Sequence, residues 1–218
     1  MSIALTQEQE HALLDIVRHA ARTEIMPRFR QLSANAIQEK TSSQDLVTEA
    51  DVRAEQVISA GVRELLPEAA VIGEEAVAEH PEILEQIASA DMAVIIDPID
   101  GTWNYAKGVA VFGVIVAVTV RGETVFGLLY DPVLDDWILA RKGGGSWYGK
   151  PGQAAQRLQL PQDERELGQR VAMVSHFLFP ESQRAAVAVG ALAFARSHCC
   201  AVLVMNTGCW RRGCLIFP

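Results

Sequence analysis

Hydrophobic positions along this chain keep helical spacing at its start and strand spacing through its middle. Over residues 6–32 they recur every three or four places, with Leu13, Ile16, Val17, Ala20, Ala21 and Ile25 on one side and Glu, Gln and Arg on the other. Pro27 predicts a kink or an end to that helix. A second amphipathic helix is predicted from Asp51 to about Leu66, its apolar face built from Val52, Ala54, Val57, Ile58, Val62 and Leu65. The polar stretch between the two, residues 40–51, reads as a loop. Residues 71–73 form a brief apolar run that ends in Glu74 and Glu75, and a short helix is predicted over 81–88. The unbroken apolar run 92–96 predicts a strand buried on both faces. Runs at 112–120, 124–130 and 137–140 predict antiparallel strands, turned by Arg121-Gly122 and by the glycines at 143–145. A further strand over 170–175 and a helix over 181–190 complete the pattern.

Candidate chemistry gathers where the 92–96 strand should end. Asp97 stands at its tip, and Pro98 removes a backbone donor and fixes φ, so the chain is expected to leave the sheet there. A continuing strand would send Asp97 and Asp100 to opposite faces; a bend lets them converge. Ile99 is then free to present its carbonyl. Gly101 supplies a permissive turn, and Thr102 suits the N-cap of a following helical turn. Two carboxylates and a carbonyl would lie beside backbone N–H groups suited to a phosphate. Glu74 leaves its own strand in the same manner, so two neighbouring strand tips would bring Glu74, Asp97 and Asp100 to one sheet edge. Asp51 falls in the first turn of its helix, where a carboxylate also serves simply as a dipole partner.

Composition narrows the partners. The chain has 218 residues, 50% of them hydrophobic, enough for one sizeable core, and a net charge of −8 that disfavours nucleic acid or an anionic membrane. An acidic protein acting on phosphate esters needs cations to offset the repulsion. No signal-like segment opens the chain, and the longest apolar stretch in its body, 109–120, is too short for a bilayer, so a cytoplasmic location is expected. Gly144 and Gly149-Lys150 mimic part of a nucleotide-binding loop, but Pro151 stands where Ser or Thr is required. His11 and His19 read as surface residues. No Ser, Cys or His is placed as an activated nucleophile. The four cysteines, Cys199, Cys200, Cys209 and Cys214, crowd the last twenty residues without a zinc-type spacing, and no acidic residue follows Glu181.

Three segments together resemble the inositol monophosphatase family of magnesium-dependent, lithium-sensitive phosphatases. They are Asp97-Pro-Ile-Asp-Gly-Thr102, Gly73-Glu-Glu75, and the stretch from Lys40 through Asp45-Leu-Val-Thr48 to Asp51, in that family's order. The resemblance implies a layered α/β sandwich of alternating helices and sheets, usually a homodimer, with two or three Mg²⁺ per site. It further implies that Glu74, Asp97, Ile99 (through its carbonyl) and Asp100 hold metal, and that Asp100, Gly101 and Thr102 bind phosphate. Thr102 with Asp51 would activate a water that Glu74 helps to place, with Glu75 and Lys40 as supporting neighbours, and no phosphoenzyme would form. The implied substrate is myo-inositol 1-phosphate or a similar small polyol phosphate, because Trp103-Asn104-Tyr105 resembles the inositol-phosphatase branch. Histidinol phosphate, bisphosphate nucleotides and fructose bisphosphate are the alternatives within the same chemistry. The resemblance covers 1–195. Members of the family carry a later Trp-Asp-x-Ala segment, with a further metal-binding Asp, which is absent here. Residues 196–218 are therefore expected to be an atypical tail, from a shifted reading frame or an unrelated replacement. The competing reading is a metal- and phosphate-binding relic, or a dimerising module, without turnover.

Overall fold

The computed structural model describes residues 5–33, 36–42, 45–159, 164–176, 179–198 and 215–217. Helix α1 (Gln7–Ala20) starts from a capping box in which the Thr6 hydroxyl accepts from Gln9 N and the Gln9 side chain accepts from Thr6 N. The helix predicted to reach residue 32 is three pieces. After α1 comes a π-helical turn, Ala21–Ile25, and then a 3₁₀ turn, Met26–Arg28, containing Pro27. Residues 40–51, expected as a loop, instead contribute to a hairpin of β1 (Ile37–Ser42) and β2 (Asp45–Thr48). Its polar letters hide it, since the pairing is made by backbone groups rather than by an apolar face. Helix α2 (Glu49–Leu65) follows directly.

The central sheet has seven strands in the order β3-β4-β5-β6-β7-β8-β9. These are β3 (Ala70–Gly73), β4 (Met92–Asp100), β5 (Gly113–Val120), β6 (Glu123–Asp131), β7 (Asp136–Arg141), β8 (Gly145–Gly149) and β9 (Gln156–Leu158). Only the β3–β4 pair is parallel. The crossover between them holds α3 (Glu74–Glu79), a 3₁₀ turn Pro81–Glu85 and α4 (Gln86–Ser89). Between β4 and β5 lies α5 (Thr102–Ala106). Strands β8 and β9 were not legible in the sequence. β8 is bracketed by glycine, and at Gly149 a side chain would drive into the Trp137 ring, with Cβ 2.2 Å from Cζ2.

Helices α1 and α2 lie on one face of this sheet. Leu13, Val17, Ile25, Ile58 and Val62 meet Val94, Ile96, Val114, Val116, Leu128 and Leu139 in one core. Each such side chain stabilises the fold by about 1.5–3 kcal/mol when fully buried. A parallel three-stranded sheet stands apart, with β10 (Val171–Val174) between β11 (Arg196–His198) and β12 (Leu215–Phe217). Helix α6 (Glu181–Gly190) buries no side chain. The four cysteines of the expected tail lie outside the described residues. His11 and His19 are exposed, as the sequence predicts. Among the described residues no helix is long and apolar enough to cross a membrane.

Candidate active site

Strand β4 does not stop at Ile96 but runs through Pro98 to Asp100. Asp97 pairs with Ile115 and Asp100 with Gly113, so two residues, Pro98 and Ile99, stand opposite the single Val114. That bulge resets the pleat by one residue, and Asp97 and Asp100 reach the same face without the chain leaving the sheet. Convergence is as expected; a bulge, rather than a strand end, produces it. Proline belongs there because a bulged residue needs no ladder donor. Gly101 then takes a left-handed conformation at φ 95° and itself caps α5, so Thr102 is the first helical residue and not the N-cap. The Thr102 hydroxyl lies 3.0 Å from Asp51 Oδ1 and 3.0 Å from the Ile99 carbonyl oxygen.

Asp51 serves its helix and the site together. Its Oδ2 accepts from Thr48 N at 2.9 Å and from the Thr48 hydroxyl at 2.5 Å, completing a capping box at the start of α2. Its Oδ1 is the atom facing Thr102. Asp51 is wholly buried, and burial pushes its carboxyl up to about 7 against the pull of the Thr48 bonds.

Glu74 and Glu75 open α3 rather than closing a strand. Lys40, reaching in from the β1–β2 hairpin, places Nζ 3.0 Å from Glu74 Oε1 and 2.8 Å from Glu75 Oε1. Burial opposes the Lys40 charge, yet hydrogen bonds to Glu75 and Glu74 hold the ammonium above its usual range. Burial also raises Glu75, against the Lys40 bond. The residue that sequence reasoning missed is Glu55. Its Oε2 accepts from Glu75 N at 2.7 Å and its Oε1 from Ala76 N at 2.9 Å. A signal was present: Glu55 falls one turn after Asp51, beside the apolar Ala54 and Ile58, where a charge is out of place.

Asp97 is the electrostatic centre. Burial, then the charges of Glu74 and Asp100, push its carboxyl up to about 9, and its Oδ1 is buried with no hydrogen-bond partner. An orphaned carboxylate oxygen among other acids suits a hard divalent cation in kind. Among the described residues, however, no group of three His, Cys, Asp or Glu side chains stands ready to hold a metal. Glu74 is held by Lys40 through Oε1 and at the same time stands against Asp97, whose carboxyl it helps to raise. The Ile99 carbonyl already faces Thr102, on the same corner.

The acids at the β4 bulge and at the start of α3 thus accompany a left-handed glycine and the Thr102–Asp51 hydrogen bond on an α/β scaffold. Residues 6–205 match the model of the inositol monophosphatase family, and the chain belongs to that family. A fructose-1,6-bisphosphatase/inositol-1-monophosphatase of Thermotoga maritima is 31% identical over 112 residues, 51% of this chain and 40% of that protein. The Nus factor SuhB of Vibrio cholerae is 34% identical over 138 residues, 62% of this chain and 49% of its own length. The crystal structure of the extragenic suppressor protein SuhB from Bartonella henselae shares the fold at a TM-score of 0.72 and 19% identity, covering 90% of this chain and 71% of that one. The chain thus spans about half the length of the curated relatives it matches.

Proposed function

We propose that the chain is a Mg²⁺-dependent phosphomonoesterase acting on myo-inositol 1-phosphate or a similar small polyol phosphate. The observation that carries this reading is the partnerless, buried Oδ1 of Asp97 beside the charges of Glu74 and Asp100, one bulge away from the Thr102–Asp51 pair. Glu74, Asp97, Asp100 and the Ile99 carbonyl would hold the metal. Magnesium in that position supplies positive charge against the phosphate and acidifies water. The protein's own part is proton handling and placement. With Asp51 ionised, Thr102 donates its single hydroxyl hydrogen to Asp51 Oδ1, which leaves the Thr102 oxygen free to accept from an attacking water. The proton then passes from water to Thr102 Oγ1 and on to Asp51. The N–H groups at Gly101 and Thr102, at the start of α5, receive phosphate oxygens. Glu74 orients the water, and Lys40, itself held by Glu75, holds Glu74. A homodimer in the cytoplasm belongs to the same proposal.

A second reading, binding without turnover, is favoured by one observation: Lys40 pairs with Glu74, the acid that would otherwise orient the water. Phosphate release from myo-inositol 1-phosphate, titrated with Mg²⁺ and challenged with Li⁺, separates the two. Fructose 1,6-bisphosphate and histidinol phosphate complete the substrate panel. Release that needs Mg²⁺, falls with Li⁺ and vanishes in Asp97→Asn supports the enzyme. Release unchanged in Asp97→Asn marks a contaminant, and no release on any substrate leaves the binding reading.

A further inference from the structure

The elbow joining β3 to α3 carries two of the acids on which the proposed chemistry depends; β3 is paired along its length with β4, yet little in α3 holds its side of the elbow. Helix α3 has six residues, buries none of them and has no side-chain cap of its own at Gly73. Its first N–H groups would be orphans, as at any helix start. Glu55 fills that need from α2, twenty residues earlier, with both oxygens committed: Oε2 to Glu75 N at 2.7 Å and Oε1 to Ala76 N at 2.9 Å. The side chain is buried, at 7% exposure. It also lies flat against the elbow, because a Cβ built on Gly73 would fall 2.1 Å from the Glu55 carboxyl carbon. Glycine at 73 and glutamate at 55 are two halves of one contact.

The position is electrostatically costly. Glu55 feels the charge of Glu74, with Lys40 as partial relief. A glutamine would avoid that repulsion, but it offers one acceptor where two N–H groups need two. The acid therefore stands there despite the repulsion, because both of its oxygens are needed. One face of α2 then serves both halves of the site, since Asp51 holds Thr102 and Glu55, a turn later, holds the backbone that bears Glu74 and Glu75.

We infer that Glu55 is a positioning residue: by clamping the Gly73 elbow it aims Glu74 and Glu75 and sets the affinity of the acidic cluster for a divalent cation. The inference rests on the reading that the cluster takes such a cation. The test is Mn²⁺ titration by calorimetry on the full chain and on Glu55→Gln, Gly73→Ala and the double variant, with metal-free hydrogen exchange of the peptide spanning 73–79. Glu55→Gln keeps the shape and loses one acceptor; Gly73→Ala keeps the carboxylate and pushes it away. The expected result is that each single variant weakens Mn²⁺ binding tenfold or more and speeds exchange at 73–79. The double variant should bind no more weakly than the worse single one, because both break one contact. Should Glu55→Gln fail to fold, Gly73→Ala and the shortened Glu55→Asp carry the same comparison. Faster exchange at 73–79 with Mn²⁺ affinity within twofold of the parent would overturn the inference and leave Glu55 as a cap of the fold alone. A parent chain that binds no Mn²⁺ would instead overturn the metal reading, and this inference with it, before any variant is compared.

Discussion

Asp97 places a function-bearing group where folding would prefer none. A buried polar atom without a partner costs about 1–3 kcal/mol, and a charged one more, and Asp97 Oδ1 is such an atom beside the charges of Glu74 and Asp100. In metal-free protein Asp97→Asn should therefore raise the thermal midpoint, by about 2–4 °C for each kcal/mol in a domain of this size, while phosphate release is lost. Calorimetry beside a release assay checks both halves, and a lowered midpoint would refute the argument. Asp51 makes the complementary case in pH. Its carboxyl is raised from 3.8 to about 7, so the folded chain holds a proton there that the unfolded chain has released. The stability this contributes is complete below about pH 4 and is lost as pH rises through about 7. Only the ionised form can take the proton relayed through Thr102, so release should climb over the upper part of that window, with a midpoint near 7. Thr102→Val should remove about two to four orders of magnitude of rate and, with them, the climb. Asp97, Asp100 and Glu74 were legible in the sequence because each follows an apolar run at a glycine or proline. Glu55 was not, because its partners are backbone amides twenty residues away that no local pattern announces.

Element boundaries were legible where the apolar pattern alone decides them, and failed where a tertiary bond does. The long first helix was expected to kink or end at Pro27; in the fold it loosens earlier, into a π turn at Ala21–Ile25, where the Tyr105 hydroxyl donates to the Ile25 carbonyl at 2.7 Å. Tyr105 stands in the stretch whose letters favoured an inositol substrate, yet its ring is buried against Phe29 and Phe112 and its hydroxyl ties α5 to the end of the first helix. Tyr105→Phe keeps the ring and removes one of the two donors to the Ile25 carbonyl, which keeps its bond from Phe29 N, so it should cost about 0.5–1.5 kcal/mol, read as a lowered midpoint in thermal or urea unfolding. Because α5 begins at Thr102, the same change should lower the rate of phosphate release more than the KM for substrate. An unchanged midpoint would show that water satisfies the carbonyl equally well. The bulge in β4 failed to appear in the sequence for a related reason: Pro98 announces a break in the ladder, but only the register against Ile115 and Gly113 shows that pairing resumes.

At the scale of the molecule, the meander from β4 to β8 follows chain order, which alternating apolar runs and short turns make predictable. The second sheet is different in kind. β10 receives β11 and β12 as parallel neighbours and buries Ala172, Met173 and Val174, but the helix that follows it is loosely packed: α6 buries nothing, while Val189 and Leu192 stand 67% and 80% exposed. Strands β4 and β5, by contrast, hold Val94, Ile96, Val114, Val116 and Val118 at 1% exposure or less. Local opening free energy follows buried apolar contact, so the two regions should separate in hydrogen exchange. Amides of 181–193 should exchange far ahead of those of 113–120, and trypsin should cut at Arg184 or Arg196 before any site in the central sheet. Leu192→Glu should shift global stability by no more than about 0.5 kcal/mol, as for other surface positions. Equal protection of the two segments would mean that α6 folds as one unit with the main core. Faster exchange would instead show that α6 opens independently of the central sheet, so that loosening the α6 layer leaves β4, with Asp97 and Asp100, in place.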